Sequence, residues 1–250
     1  MEMGRIARLF PQPVLKPAKA LVRWWQGQPS VSGMNLGDLR RLEPVSRAFG
    51  TDRGLAIDRY YVEHFLDAHR ADIRGRVLEI GEDTYTRRFG GDRVTRSDIL
   101  HVHDRNRRAT IVGDLADAPH IPDASFDCII LTQTLQLVFD LQAAMRTLQR
   151  ILAPGGVLLV TVPGISQVAV NSEWGKTWYW AFTSLALERL LREHMRAEKV
   201  DIRLHGNVLA STGLLYGLAS EELLPEELDA LDPEYQVIIV ARAIKGASDK

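Results

Sequence analysis

Three carboxylates surround one glycine in the stretch of this chain whose residue types most clearly predict chemistry. The apolar run 77–80 has the length and composition of a buried parallel strand, and Gly81 ends it. Glu79, Glu82 and Asp83 place their acids around that turn. Because free backbone N–H groups converge where a strand turns into a helix, such a corner is typical of nucleotide binding.

The charge of this turn discriminates between nucleotide cofactors. A pyrophosphate would be repelled by each carboxylate, by on the order of 1 kcal/mol per charge pair at ~4 Å in water and ~4 kcal/mol near a protein surface. The pattern G-x-G-x-x-G is absent, since the next glycines after Gly81 are Gly90 and Gly91. A cofactor with an ammonium and a sulfonium would be attracted, which favours S-adenosylmethionine over NAD or ATP. A helix capped by Asp83 or Thr84 is expected to follow the turn.

These residues resemble the first motif of the class I S-adenosylmethionine-dependent methyltransferases, which reads roughly E/D-x-G-x-G-x-G. Glu79 and Gly81 match its first two positions, while Asp83 and Tyr85 replace the later glycines. The likeness is to the small-molecule branch called type 11, which includes members associated with glycan and natural-product biosynthesis. It runs from about residue 58 to 244 and implies methyl transfer from S-adenosylmethionine to a small-molecule acceptor.

Three later segments carry the same resemblance. Residues 121–131 resemble the turn into the fourth strand of these enzymes, and residues 152–156 resemble their Leu-x-Pro-Gly-Gly marker before the fifth strand. Residues 178–183 resemble an aromatic W…yWrFT segment, with Ala181 in the slot where many relatives have arginine. The missing arginine argues against a simple carboxylate or phosphate clamp at that position.

The resemblance also assigns residues to the cofactor. Asp98, interpreted as the end of the second strand, matches the acid that accepts both ribose hydroxyls. Asp114 and Leu115 match the acid and the backbone N–H that bind adenine, and Tyr61 lies on a helix expected to cover the cofactor. The predicted cofactor-binding set is Glu79, Gly81, Asp83, Asp98, Ile99, Asp114, Leu115, Thr132 and Tyr61.

Aromatic residues are concentrated in an insertion expected after the fifth strand, at residues 165–182. Three of the five tryptophans fall there, which suits the wall or lid of an acceptor pocket. Packing of these rings onto the core is the alternative interpretation. Gln136 stands where many relatives carry an ionisable residue. The predicted substrate pocket comprises Gln136, Trp174, Trp178 and Tyr179.

Alignment and desolvation are expected to supply most of the catalysis, because a sulfonium methyl is already activated. A general base helps only where the acceptor is a poor nucleophile. The candidates, in order, are His205, at the predicted end of the sixth strand, then His101 and His103. A plain turn or loop role is the alternative for each. Two histidines at positions i and i+2 lack a third ligand, so we expect no metal.

The order of predicted elements indicates the fold. Strand and helix alternate five times, and a helix and two strands follow, which predicts a doubly wound α/β fold with a seven-stranded, mostly parallel sheet and an antiparallel last strand. This is the Rossmann-like methyltransferase fold. We assign it to residues 36–250, with residues 1–35 as a basic arm. The arm either contacts a membrane surface or a partner protein through residues 1–30, or packs on its own domain or on a second copy.

Composition excludes several classes of protein. The net charge of −1 gives no overall field that would attract nucleic acid. The single cysteine, Cys128, lies in an apolar strand, which predicts a buried inert thiol and no disulfide framework. No apolar run reaches the ~20 residues that span a bilayer. We therefore expect a cytoplasmic protein that acts on a small molecule, with its oligomeric state left open.

A second hypothesis comes from the departures in the first motif. Without the later glycines, and with Gln136 and Leu137 in place of ionisable groups, the chain could be a methyltransferase-fold protein that does not methylate. It would then catalyse an elimination or cyclisation in the same cleft, or act as a non-catalytic partner. Asp98 and Asp114 favour cofactor binding over a pure scaffold.

Overall fold

The computed structural model describes residues 21, 25–27, 35–170, 172, 174–195 and 197–246. The chain divides into two units, Met1–Glu43 and Pro44–Lys250. Most of the predicted basic arm, and with it the predicted membrane or partner contact of residues 1–30, lies outside the described residues. In the first unit the structure describes a short 3-10 turn at Gly37–Leu39. Everything that follows concerns the second unit.

Within the described residues, seven strands form a single sheet. They are β1 (Gly75–Ile80), β2 (Val94–His101), β3 (Ile111–Val112), β4 (Phe126–Thr132), β5 (Leu152–Pro163), β6 (Ala197–His205) and β7 (Ile238–Lys245). The order across the sheet is β3-β2-β1-β4-β5-β7-β6. β7 runs antiparallel to β5 and β6, whereas the neighbours from β3 to β5 are parallel. The predicted doubly wound α/β fold with an antiparallel last strand is confirmed.

Helices cover both faces of this sheet. They are α1 (Ile57–Ala68), α2 (Leu141–Ile151), α3 (Ser184–His194), α4 (Val208–Tyr216) and α5 (Pro225–Asp229). Because side chains alternate along a strand, Leu78 and Ile129 pack with α2 and α3, while Val77 and Ile130 pack with α1 and α4 on the other face. Cys128 is fully buried in this second layer and unpaired. In the part of the chain that is described, no helix has the length and apolarity to cross a membrane.

Side chains at the helix N-termini explain where three helices begin. Asp140, Thr183 and Asn207 precede α2, α3 and α4. Each accepts a hydrogen bond from the backbone N–H three residues later, at 2.9, 3.3 and 2.9 Å. Such a bond satisfies one of the backbone donors that the first turn of a helix leaves free. The three caps therefore fix the first residues of these helices at Leu141, Ser184 and Val208.

Strand β2 extends three residues beyond its predicted end at Asp98. Ile99 and Leu100 are buried and continue the ladder with β1, where they lie opposite Glu79 and Ile80. The sequence interpretation ended the strand at Asp98, which matches the ribose-binding acid that ends the second strand in the resembled family. That position was wrong, because Asp98 and Ile99 lie inside the sheet.

Asp98 is tolerated in the sheet because two guanidinium groups neutralise it. Its side chain is 1% exposed and lies 2.7 Å from Arg76 Nε and 3.1 Å from Arg96 Nε. The Thr110 hydroxyl donates to its second oxygen at 3.0 Å. Burial by itself raises the pKa of this carboxyl, but the hydrogen bonds from Arg76 and Thr110 outweigh it and hold the pKa below its ordinary value. Both oxygens are occupied, so the predicted ribose-binding role of Asp98 does not fit its surroundings.

We predict that Asp98→Asn destabilises the fold at neutral pH. An uncharged amide leaves the half-buried guanidinium of Arg76 without its counter-charge, which we expect to lower the free energy of unfolding by about 1.5–3 kcal/mol. Since the folded pKa is depressed, the stabilisation is present above the ordinary aspartate pKa of ~3.9 and is lost as the pH falls through the folded value. The difference between wild type and variant should therefore shrink on acidification. Urea unfolding at neutral and acidic pH measures it.

The matched control is Asp123→Asn. Asp123 also pairs with an arginine, Arg150, at 2.8 Å, but its side chain is 76% exposed. We expect this substitution to change stability by less than about 1 kcal/mol at either pH. An Asp98 variant no less stable than the Asp123 variant would contradict the assignment of a structural ion cluster.

Candidate active site

The carboxyl ends of four parallel strands meet at one edge of the sheet. β1 ends at Ile80, β2 at His101, β4 at Thr132 and β5 at Pro163. The chain leaves β1 toward β2 on one side and returns at β4 on the other, so the strand order reverses between β1 and β4. In open α/β sheets the crevice at such a reversal is where ligands bind. We therefore take this carboxyl edge as the candidate site.

Glu79 holds the turn that follows β1. Its carboxylate is 3% exposed and accepts hydrogen bonds from the backbone N–H groups of Tyr85, at 3.2 Å, and Thr86, at 2.7 Å. These donors belong to the start of a short helical segment that continues as a π-helix, Thr86–Gly90. Burial raises the pKa of Glu79 to about 7, although the two N–H donors oppose the shift.

The predicted cap by Asp83 or Thr84 was wrong. Neither side chain bonds to the first turn of the helical segment, and the Thr84 hydroxyl instead donates to Glu82 at 2.9 Å. Glu79 supplies the cap from the preceding strand. A cap contributed from a strand has no local sequence spacing, so the usual N-terminal signal for a helix start does not reveal it.

Gly81 leaves open space at the end of β1. Its φ of +87° lies in the left-handed region, and a Cβ added there would meet no atom within 4 Å. Its N–H donates to the Leu100 carbonyl at 2.9 Å, and its own carbonyl accepts from Asn106 Nδ2 at 2.7 Å. Both backbone groups of Gly81 are therefore bonded, to β2 and to the loop that follows it, while the space where a side chain would lie is open.

Asp83 occupies the slot of a motif glycine and pairs with two arginines. Arg87 Nη2 lies 2.9 Å from its carboxylate, and Arg108 forms a second ion pair with the same oxygen. Arg108 and Asn106 belong to the loop after β2, so both anchor that loop to the Gly81 turn. The structure therefore places Asp83 in a contact between turn and loop, which leaves its predicted cofactor contact without support.

Helix α1 reaches the turn through Arg59. The Arg59 and Tyr85 side chains are hydrogen-bonded to each other. Burial lowers the pKa of Arg59, but the negative charge of Asp58 and the contact with Tyr85 outweigh burial and raise this pKa above its usual value. Asp58 keeps one buried oxygen without a hydrogen-bond partner, and burial raises the pKa of its carboxyl. Glu63, one turn further along, pairs with Arg88 at 2.8 Å. The start of α1 thus brings a cation and an acid to the carboxyl edge.

Tyr61 does not take part in this edge. It is 2% exposed, its hydroxyl donates to the Leu228 carbonyl at 2.7 Å, and its ring stacks on His205 with the centroids 5.2 Å apart. Residues 59 and 61 project about 200° apart around a helix, so only one of them can face the turn. The structure places Tyr61 in the core, which leaves its predicted cofactor contact without support.

His205 ends β6 as predicted, but the structure does not bring it to the Gly81 turn. Two strands, β5 and β7, separate β6 from β4, which at ~4.8 Å per strand is ~14 Å. Burial, and then Arg203, lower the pKa of His205. Its predicted place as the leading general base was wrong, because sequence order gives no indication that β6 is the outermost strand.

His101 lies at the edge where β2 ends. Its ring packs against Trp174 in a T-shaped contact, with the centroids 5.6 Å apart. His101 Nδ1 lies 3.0 Å from the His103 carbonyl oxygen and 3.1 Å from the His103 N–H. In the tautomer that donates from Nδ1 to this carbonyl, Nε2 of the half-buried ring can accept a proton. His103 itself is exposed. Of the three candidate bases, the structure joins His101 to a predicted acceptor-pocket residue.

The segment after β4 supplies the neutral part of the edge. Gln136 is 2% exposed, its Nε2 donates to the Gln133 carbonyl at 2.8 Å, and its Oε1 has no hydrogen-bond partner. The Gln136 carbonyl accepts from the backbone N–H groups of Tyr179, at 2.8 Å, and Trp180, at 3.3 Å. Thr132, at the strand end, is half-buried. Gln136 and Tyr179 are therefore neighbours through a backbone hydrogen bond, and their role in an acceptor pocket stays a prediction.

The remaining predicted residues lie apart from that pair. Trp178 stacks on Phe49, with the centroids 6.2 Å apart. After β3, Leu115 is buried, while Asp114 is exposed and accepts a hydrogen bond from the Ala116 N–H at 2.8 Å. Sequence reasoning missed Asn106 and Arg108. The available signal was a run of arginines after β2 opposite three acids at the turn.

Known proteins are similar in sequence to the segment that forms most of this carboxyl edge. A family model described as a methyltransferase domain matches residues 80–160. The ubiquinone/menaquinone biosynthesis C-methyltransferase UbiE of Haemophilus ducreyi is 38% identical over 96 residues, which are 36% of this chain and 29% of that protein. The malonyl-[acyl-carrier protein] O-methyltransferase of Serratia marcescens is 33% identical over 147 residues, 53% of this chain and 55% of that protein. The chain thus spans between about a third and about half of these relatives.

Solved structures show the same fold at low identity. A SAM-dependent methyltransferase from Archaeoglobus fulgidus superposes with a TM-score of 0.52 at 13% identity, over 75% of this chain and 94% of that one. The [4+2]-cyclase SpnF superposes with a TM-score of 0.51 at 18% identity, over 78% of this chain and 85% of that one. The sheet order β3-β2-β1-β4-β5-β7-β6 thus belongs to a fold that methyltransferases share, and residues 80–160 are similar to a methyltransferase domain.

Proposed function

We propose that the protein transfers a methyl group from S-adenosylmethionine to a small-molecule acceptor. The position of the family match carries this proposal. Residues 80–160 run from the Gly81 turn through the ends of β2 and β4 and into β5, which covers most of the carboxyl edge. The two relatives named above methylate carbon and oxygen, so the acceptor atom does not carry over. A role in glycan or natural-product biosynthesis is the finer part of the proposal.

The residues at the turn fit this cofactor. The open side of Gly81 gives a ligand access to the backbone, and Glu79 and Glu82 supply the negative charge that a sulfonium and an ammonium attract. Arg59 is the cation beside the turn and would bind the carboxylate of the methionine group. Asp114 and the Leu115 N–H, after β3, would bind adenine.

The chain would contribute alignment more than acid–base chemistry. S-adenosylmethionine, when bound, supplies a methyl group on a good leaving group, so the acceptor needs position and a dry environment. Gln136 and Tyr179 lie beside the end of β4, where the acceptor would approach. His101, packed against Trp174, would take a proton from a weak acceptor at Nε2 in the tautomer whose Nδ1–H donates to the His103 carbonyl.

One observation favours a second function. Asp83 and Tyr85 replace motif glycines, and Asp83 is bound to Arg87 and Arg108. A cleft altered in this way could perform an elimination or cyclisation while it retains the fold, since one structural neighbour is a cyclase. Release of S-adenosylhomocysteine from S-adenosylmethionine in the presence of acceptor mixtures separates the two functions.

The primary test is calorimetric titration with S-adenosylmethionine and S-adenosylhomocysteine. We expect dissociation constants in the micromolar range, near −8 kcal/mol. Well-folded protein that binds neither ligand would contradict the proposed methyl transfer.

A second prediction locates the cofactor at the turn. Gly81→Ala adds a methyl group into the open space and strains a left-handed backbone, which costs about 1–2 kcal/mol of stability. We expect at least a tenfold loss of S-adenosylmethionine affinity in addition, because the methyl group occupies space that the ligand needs. Calorimetry and urea unfolding measure the two effects separately.

Gly155→Ala is the matched control for this substitution. Gly155 has a φ of +73° and equally open surroundings, but it lies near the start of β5, at the opposite edge of the sheet. We expect a similar loss of stability and unchanged cofactor affinity. Equal losses of affinity in both variants would show that backbone strain, and not contact at Gly81, weakens binding.

A third prediction uses the ionisation of Glu79. Its raised pKa of about 7 keeps the carboxyl largely neutral at pH 6 and ionised at pH 8. Affinity for the sulfonium cofactor should rise over this range by up to roughly tenfold, as the ionised fraction grows from about a tenth to about nine tenths. S-adenosylhomocysteine has the same amino acid group without the sulfonium, so its affinity should change less. In Glu79→Gln the difference between the two ligands should no longer depend on pH; an unchanged pH dependence would exclude Glu79 as the titrating group.

A further inference from the structure

Three exposed aromatic rings form one cluster beside the end of β4. Phe139, Tyr179 and Trp180 are 69%, 47% and 36% exposed, and they are three of the four exposed aromatic side chains in the described ranges. The centroids of Phe139 and Tyr179 lie 5.3 Å apart with the planes at 72°, and those of Phe139 and Trp180 lie 5.9 Å apart at 26°. We call this cluster the aromatic corner. Exposed apolar patches of this kind mark binding sites more often than scattered residues do.

The aromatic corner is held rigidly on the segment after β4. The backbone N–H groups of Tyr179 and Trp180 donate to the Gln136 carbonyl, and the Trp180 indole N–H donates to the Val138 carbonyl at 2.9 Å. The indole hydrogen bond fixes the ring plane as well as the backbone. Rings that are already ordered lose little conformational entropy when a ligand stacks on them.

The surroundings of the aromatic corner are nearly neutral. Among the described residues 133–140 and 174–182, Asp140 and Lys176 carry the charges. The Asp140 carboxylate is occupied by the first turn of α2, and none of the ion pairs in the described ranges involves these two segments. An anionic ligand would find no guanidinium on these two segments, since Ala181 adds none. The ligand that fits is uncharged.

Exposure of the rings distinguishes two kinds of uncharged ligand. A prenyl or acyl chain is stabilised by removal from water on all sides, in an enclosed apolar pocket. Rings that are open to solvent favour a ligand with one apolar face and polar edges that stay hydrated. A sugar ring has this construction, since its axial C–H groups form a flat apolar face and its hydroxyls point outward. The hydroxyl of the exposed Tyr179 adds a neutral polar group of the kind that hydrogen-bonds to hydroxyls.

We propose that the aromatic corner binds a saccharide unit of the acceptor by stacking, with Trp180 as the principal contact. This inference rests on the proposed function for the position of the site, at the acceptor side of the carboxyl edge. It assigns the acceptor to the class of sugars and glycosides.

The test uses ring shape to separate stacking from general apolar contact. Trp180→Phe keeps a flat ring, whereas Trp180→Leu keeps apolar volume and removes the ring. The probes are the methyl glycosides of glucose, galactose, mannose and rhamnose, added to the full chain with S-adenosylhomocysteine. Saturation-transfer difference NMR detects millimolar binding and identifies which sugar protons contact the protein. Leu185→Ala, at a residue 74% exposed and outside the corner, is the surface control.

We expect at least one glycoside to bind wild type through its C–H face. Trp180→Phe should retain binding within about threefold, Trp180→Leu should lose at least tenfold, and Leu185→Ala should match wild type. No signal from any probe on wild type would overturn the proposal. Equal binding by Trp180→Leu and wild type would also overturn it, because a plain apolar surface would then suffice.

Cofactor titration of the same variants keeps the two proposals distinguishable. The aromatic corner lies on the acceptor side, so Trp180→Leu should bind S-adenosylhomocysteine as wild type does, which also shows that the variant is folded. Cofactor binding without glycoside binding would overturn the saccharide assignment and leave methyl transfer standing. Glycoside binding without cofactor binding would overturn methyl transfer and leave the aromatic corner as a sugar site.

Discussion

The carboxyl edge of this protein depends on one buried acid. Glu79 comes from the end of β1 and accepts two backbone N–H groups from the segment that follows Gly81. A buried polar group without partners is costly, and free N–H groups at the start of a helix are equally so. Each satisfies the other here, and the chain must turn tightly at Gly81 for them to meet. Because burial raises the pKa of Glu79, ionisation of this carboxyl is less favourable here than in water.

The departure from the glycine-rich motif follows from the same turn. An aspartate at position 83 adds negative charge next to Glu79, and two arginines neutralise it. One of them, Arg108, belongs to the loop after β2, and Asn106 of that loop binds the Gly81 carbonyl. In place of small residues, the chain therefore has side-chain contacts that connect the turn to its neighbour. Asp83 and Tyr85 have less backbone freedom than the glycines they replace, but the loop after β2 is anchored to the turn in return. The open space beside Gly81 is retained.

Sequence patterns predicted the architecture well because it depends on local hydrophobicity. Apolar runs located β4 and β5, and the alternation of strands and helices was enough for the doubly wound sheet. The site was harder, because its residues meet through contacts that have no sequence spacing. Asp98 was interpreted as a strand end because it lies about 20 residues after the glycine turn, where the resembled family has its ribose-binding acid. Its ion pairs with Arg76 and Arg96 could not be read from the sequence. His205 was misplaced for a related reason, since the lateral order of strands decides which loops meet.

The distribution of charge along the carboxyl edge has a functional meaning of its own. Ion pairs are concentrated on the side of β1, β2 and the start of α1, where Asp83, Arg59 and Glu63 lie around the turn. The side of β4 and the segment after β5 has amides and aromatic rings instead. A zwitterionic sulfonium cofactor requires the first environment, and a neutral acceptor requires the second. Separation of the two halves would let the charged cofactor bind tightly without placing fixed charge against the acceptor. For the proposed methyl transfer, the same separation would keep the region between cofactor and acceptor poor in competing polar contacts, which favours nucleophilic attack on the methyl group of a sulfonium.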